Sequence, residues 1–574
     1  MKADLTRDTF HPLKHYARVL TQQGRVQLDA DMNEQAAILL RYLHILAADL
    51  IGPAGGPADP QGNTGFAVTA ITPPPKVPDF QIGFGDYYVN GYLCQADFVP
   101  LAIFPTGSPT TFQLMNWSSE FDLLPNPYYY EIFDSTPSSS PPPTPVPVVI
   151  ASASKTQDEF QLTFQNVPSL TGFSTPTIRR LITYLHQPDL VFSTKSSPNS
   201  PLPLPLQPKS GQIYLDVWER AVTYAEDDSI REVALGGPDT AARSKLVWQV
   251  KWIPAPGTTD SPTCMTIQQL TAQVQAQLQG QSQPQPRGWL QAKAKQSSQS
   301  TNPCIINPNA AYTGPENQLY RVEINRSGAA GTTTGVSATF KWSRENGSAI
   351  YPITSGGGTP NVVLESLGRD DRFGLVEGSL VEVQDNRSVL SNLPGNLLSV
   401  QSIDSTTMTV TLNGTPDTLL GSDETLHPLL RRWDQAGGDP AEGGLTLDVD
   451  NAAFVEEGTW LTLEDGVQIR FQPANPVVVT SGAPAPPINQ YLTGDYWLIP
   501  ARTATGDVEW PKVIAADGTL ETDEQGDILP VALPPQGITH YYAPLAVVTV
   551  DANGAVSVRN CRSSFTPSAT LMNS

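Results

Sequence analysis

Apolar and polar positions change period once along this chain, and that change sets its architecture. From Asp31 the sequence DMNEQAAILLRYLHILAADLIGP places Met32, Ala36, Leu39, Leu43, Leu46 and Leu50 at alternating steps of four and three. That spacing lines one face of a long amphipathic helix. Asp31, with Glu34 three residues on, has the spacing of a capping box, and Gly52-Pro53 is a stop signal. Ahead of it, Leu20, Gln22, Gly24, Val26 and Leu28 read as an extended or hairpin path bending at Gly24. The helix either covers its own domain or docks into a neighbouring subunit, and the six apolar positions are the candidate partner-binding residues.

From Gly62 the period is two. IGFGDYYVNGYLC (82–94) carries Asn90-Gly91 between apolar and aromatic runs, a hairpin signal because both turn positions favour positive φ. QIYLDVW (212–218) and the stripe Leu246, Trp248, Val250, Trp252 alternate, so each should bury one face. Strands are expected at Leu319–Ile324, Val336–Trp342 and Ile350–Ile353, and hairpins at Asp465-Gly466 and Asn553-Gly554. Short strands with turns between them over Gly374–Leu412 predict a small closed barrel or roll. The fold class is therefore mainly β and multi-domain, built of small barrels or sandwiches, with one N-terminal amphipathic helix. The expected units are 1–57, an attachment module; 58–254, a β domain with a Pro/Ser-rich insertion at 135–210; 255–310, a Gln-rich insertion; 311–439, a β domain with a barrel-like unit at 374–415; and 440–574, a C-terminal β domain. The first insertion is expected to carry a helix around Thr177–His186, the second a helix at Ile267–Leu278, and TPSSSPPPTPVPV (136–148) and 193–210 to run as extended proline-rich loops.

Composition narrows the function. Across 574 residues the net charge is −22, with no basic stripe, which disfavours nucleic acid and anionic membrane surfaces. The first residues have no apolar core of a secretory signal, and no run is long enough to span a bilayer. Synthesis and assembly in the cytoplasm are expected, with thiols reduced by default. Four cysteines, Cys94, Cys264, Cys304 and Cys561, make no C-x-x-C pair; Cys264 and Cys304 bracket the Gln-rich insertion and are a conceivable disulfide.

Phosphate-loop, dinucleotide and nucleophile-elbow motifs are absent, so no catalytic, cofactor or metal residue is assigned. His11 and His15 have a metal-compatible spacing broken by Pro12, and Asp29, Asp31 and Asn33 start a calcium-like loop that lacks its glycine and twelfth-position Glu. Asp216 with Glu219, Asp370 with Asp371, Glu464 with Asp465, and Asp495 are acids that a glycosidase pair could use, but Arg220, Arg231, Arg369, Arg372, Arg431 and Arg432 offer them structural partners. Trp218, Trp248, Trp252, Trp342, Trp433 and Trp497 are either core or a sugar-stacking platform.

Several blocks point further. FHPLKHYARVLTQQGRVQLDADMNEQ (10–35), 214–252, NQLYRVEIN (317–325), ATFKWSRENGS (338–348), LLRRWDQ (429–435) and GDYWLIPARTATGDVEWP (494–511) resemble an uncharacterised family encoded in bacterial clusters for phage-tail-like contractile injection systems. The resemblance implies a non-enzymatic structural subunit, baseplate-associated or fibre-like. Its partners would be other baseplate subunits in a symmetric assembly and, through them, a membrane or envelope receptor. A glycan- or receptor-binding adhesin, a cryptic glycan hydrolase and a cargo effector are the alternatives.

Overall fold

The computed structural model describes residues 1–567 except 60–61, 72–76, 98–99, 115–129, 137–142, 156–159, 191–208, 255–262, 296–310, 369–373, 474–487 and 524–525. Most of the Pro/Ser-rich loops, Cys304, the pair Asp370 and Asp371, and Arg369 and Arg372 lie outside the described residues.

The fold is β-rich, with several separate sheets and only three α-helices among the described residues. The backbone of the first core is a long antiparallel ribbon, Lys209–Val222 on Arg243–Pro254, extended by Tyr541–Val550 and Val556–Asn560. Ile213, Leu215 and Val217 face Trp248, Val250 and Trp252 inside this core, as their alternation requires. The C-terminal strands thus complete a sheet begun more than 300 residues earlier, since Lys209 pairs with Val550. The same core includes the hairpin Gly85–Val89 and Tyr92–Ala96, whose turn is Asn90-Gly91 with φ of 49° and 81°. Ala54–Pro57 lies between that hairpin and Ser564–Phe565, antiparallel to the first and parallel to the second.

Seven strands between Leu101 and Arg180 form a sheet of their own around Ile103, Phe112, Ile132, Leu162 and Ile178. The helix expected at Thr177–His186 is instead strand, Pro176–Arg180 followed by Ile182–Thr183. Cross-strand pairing decides this: Pro176–Arg180 is sandwiched between Leu101–Pro105 and Tyr130–Asp134. The Asp134 carboxylate pins its start by accepting from the backbone N–H of Ser174 and Thr175 and from the Thr175 hydroxyl. Val146–Val148, part of the expected proline-rich loop, is an edge strand of this sheet.

The Gln-rich helix forms as expected at Ile267–Leu278 (α2), capped by Thr266, with Leu270, Val274 and Ala276 buried. It packs on Tyr214, Ile253 and Tyr542, so its apolar face is committed to the body. Cys264, just before α2, is bonded to Cys561, which follows the Tyr541–Asn560 hairpin. The conceivable Cys264–Cys304 bridge and the expectation of reduced thiols are corrected by this pairing, which arises because α2 packs on Tyr541–Val550, whose hairpin partner leads back to Cys561.

A third core gathers Gln318–Arg326, Thr339–Ser343, Tyr496–Arg502 and the small sheet Trp289–Ala294 with Val467–Gln472. The six-stranded closed barrel runs from Ile350 to Trp433, wider than the 374–415 expected, because Ile350–Ser355, Asn361–Leu364 and Leu429–Trp433 supply three of its staves. Its interior is Val362, Val381, Val383, Val400, Val410 and Leu430. Asp465-Gly466 turns its predicted hairpin with φ of 48° and 86°.

Candidate functional site

The long helix (α1) spans Asp29–Ile51, starting two residues earlier than its capping signal, and ends at Gly52 with φ of 94°. Asp31 therefore sits inside the first turn and reaches back to accept from the Leu28 N–H at 3.3 Å. Tertiary bonds reset the start. The Thr6 amide and hydroxyl donate to Asp29 at 2.9 and 2.6 Å, and the Thr9 hydroxyl donates to Glu34 at 2.7 Å. Burial nudges the Asp29 carboxyl upward, but the two Thr6 bonds outweigh it and hold the group below the ordinary carboxylate range. Asp29 and Asp31 are thus spent on helix geometry rather than on a cation.

One side of α1 is seated on the body. Ala30 and Ile38 are buried, and the His44 ring lies on Tyr92 at the hairpin tip, with centroids 3.8 Å apart. Tyr92 stacks in turn on Tyr541, at 5.0 Å. Burial lowers the His44 pKa. The six predicted partner-binding positions are all on the other side and all solvent-exposed. Met32 is 62% exposed, Leu39 53%, Leu43 59%, Leu46 57% and Leu50 77%. At about 100° per residue the stripe centres roughly 120–160° from Ala30, Ile38 and His44, so the body contacts one side and the stripe lies on the other.

The surface is larger than the sequence pattern marked. Leu40 and Tyr42 broaden the stripe, and Leu13, Tyr16, Leu20, Val26 and Leu28 are exposed along the preceding arm. Residues 10–28 hold a short 3-10 turn at Pro12–Lys14 and a bend at Gly24, and no strand; Gln35 of α1 accepts from the Val19 N–H. Exposed apolar surface of this extent is uncommon on an isolated chain. Both ends of the expected 1–57 module are built into the body: Lys2 pairs with Glu323 at 2.8 Å, Arg7 with Glu509 at 2.8 Å, and Ala54–Pro57 is a sheet strand.

Beside the helix seat, a cavity of about 280 Å3 opens where three sheets and the barrel meet, lined by Tyr92, Trp218, Glu219, Arg321, Glu323, Arg431 and Tyr496. Its charges are largely spent on one another. Glu323 is bound by Lys2 and by Arg321 at 2.6 Å, and Arg220 meets Glu226 at 2.6 Å. Burial would raise the Glu323 carboxyl, but Lys2, Arg321 and Lys341 together hold it well below its ordinary range, while burial draws Lys2 down to about 8.

Asp216 and Glu219, three apart on one strand, point to opposite faces. Asp216 is bound by Lys251 at 2.6 Å and His540 at 2.7 Å, whereas Glu219 accepts from Ser244 and lines the cavity. Burial opposes ionisation of Asp216, yet His540 and Lys251 hold it at about 2. Glu464 is paired with Arg344, and Asp495 with Arg287. Of the arginines proposed as structural partners, Arg231 meets Asp228 and Glu365, and Arg432 meets Glu345. Trp218, Trp248, Trp252, Trp342, Trp433 and Trp497 are all buried, and of these Trp218 also lines the cavity. His11 and His15 flank the 3-10 turn, and among the described residues no group of three or more His, Cys, Asp or Glu side chains is placed to hold a metal ion. No helix among the described residues is long and apolar enough to cross a membrane.

No curated protein and no solved structure gives a significant match to the chain. A family model does match, over residues 1–128, 207–279 and 255–574, which takes in α1, its hairpin seat, the barrel and the C-terminal strands but not residues 129–206 of the seven-stranded sheet and its Pro/Ser-rich flank. The chain accordingly belongs to the family of unknown function DUF6519.

Proposed function

We propose that this protein is a structural adaptor of a contractile, phage-tail-like particle. It attaches near the baseplate through residues 10–53, and its β body reaches away from the attachment. One observation carries the reading. The apolar stripe of α1 is bare on the side turned away from the body, although the helix is firmly seated on its other side. A stripe kept apolar and left uncovered is supported by burial only when another subunit closes over it. The sequence blocks that resemble the contractile-system family supply the kind of assembly, and the mutually paired charges of the central cavity suit a scaffold.

The test leaves residues 1–9 and 54–57 in place, because they belong to the body. In the full chain, residues 10–28 are replaced by a Gly/Ser linker and Leu39, Leu43 and Leu46 by Glu. Particles purified from the producing cells should retain the parent chain and lose this variant, with the variant's circular dichroism unchanged. Retention of the variant on particles would refute attachment through this region.

A further inference from the structure

We propose that the stripe of α1 pairs with α1 of other copies of this chain, in a parallel bundle of three or more helices. This rests on the reading that residues 10–53 are an attachment surface, and it names what covers the helix. Met32, Ala36, Leu39, Leu43, Leu46 and Leu50 follow steps of four, three, four, three and four. This is the a/d seam of a left-handed coiled coil, in which each side chain inserts between four residues of a facing helix. The seam runs from Met32 to Leu50, 18 steps that rise about 27 Å at ~1.5 Å each. Asp29, one heptad before Ala36, closes it, since Thr6 holds its carboxylate.

The matching helix must come from another molecule. Among the described residues, α2 spends its apolar face on its own body, and the remaining helix, Asn386–Leu390, is too short to span the seam. The flanks favour an identical partner. Asn33, Leu40 and Ala47 border the seam on one side and Gln35, Tyr42 and Asp49 on the other. In parallel register Gln35 meets Leu40 of the next copy and Tyr42 meets Ala47, so no like charges face each other despite the chain's net charge of −22. Selection of a foreign helix by charge would leave a signed pattern at these positions, and they hold none but Asp49. Leu40 and Tyr42, 46% and 53% exposed, extend the apolar surface beyond the seam on both sides. A two-helix coil covers only the seam itself, whereas a bundle of three or more also buries its flanks.

Sedimentation equilibrium of the full chain tests this. The parent should have at least three times the monomer mass, and the Leu39→Glu/Leu43→Glu variant the mass of one chain, with thermal unfolding of the body unchanged. In a Cys304→Ser background, Ala36→Cys should oxidise to a covalent dimer through identical positions, as only parallel register allows. A monomeric or dimeric parent, an oligomer insensitive to the two glutamates, or an Ala36→Cys chain that does not cross-link would overturn the proposal. Attachment is read separately: a monomeric parent that still copurifies with particles through residues 10–53 would sink self-pairing and leave the adaptor role standing.

Discussion

The backbone of Gly91 fits against the carbonyl of His44 so closely that a Cβ on Gly91 would lie 2.1 Å from that oxygen. The hairpin turn thereby seats α1 on the sheet. Gly91 also has φ of 81°, a left-handed conformation that glycine adopts freely. Both constraints act at one residue, so Gly91→Ala should unseat the middle of α1 at a cost of about 2–4 kcal/mol. Hydrogen exchange of the amides in Asp29–Ile51 should accelerate while the barrel stays protected.

The two faces of α1 should answer oppositely to truncation. Ile38 is 2% exposed, so Ile38→Ala should destabilise by about 2–4 kcal/mol. Leu39 is its neighbour on the free face, and Leu39→Ser should shift thermal unfolding of the isolated monomer by no more than about 0.5 kcal/mol. Equal losses at the two positions would mean that the stripe is covered by its own body.

Asp79 is buried and accepts from the N–H groups of Phe80 and Leu185, at 2.8 and 3.2 Å. Burial prevails over these bonds and pushes its carboxyl up to about 6. A folded pKa raised in this way leaves its contribution intact below the unfolded value of about 3.9, and stability falls as pH rises through about 6. Asp79→Asn keeps the acceptor and removes the ionisation. Relative to the parent, the variant should gain stability from pH 4 to 6 and level off above, by on the order of 2–3 kcal/mol. Unfolding midpoints at several pH values read the difference directly; a pH-independent offset would contradict the assignment.

The Cys264–Cys561 bond ties the start of α2 to the C-terminal hairpin across 297 residues of chain. Reduction should lower stability by about 2–4 kcal/mol, and Cys561→Ser should reproduce that loss and abolish any further effect of reductant. Cys94 is buried in the first core, and burial pushes its thiol up to about 12. It should resist a thiol reagent until the protein unfolds, which mass spectrometry of labelled peptides would register.

Local chemistry was enough to foresee the turns at Asn90-Gly91 and Asp465-Gly466, the stop at Gly52, the capped helix at Ile267–Leu278 and the six apolar positions of α1. Each depends on φ preferences or side-chain period within a dozen residues, and the sequence states those directly. It also announced a barrel but missed its outer staves, because Ile350–Ser355 and Leu429–Trp433 find each other only through closure of the sheet. Tertiary structure alone decided which distant segments pair: Lys209–Val222 with Tyr541–Val550, Ala54–Pro57 with Ser564–Phe565, and Cys264 with Cys561. It also turned Pro176–Arg180 into strand and moved the start of α1 to Asp29, where bonds from segments distant in sequence outweigh local propensity. The same holds for the candidate site. A helical stripe reads alike in sequence whether it is buried or bare, and only the seat made by His44 on Tyr92 determines which face α1 leaves free.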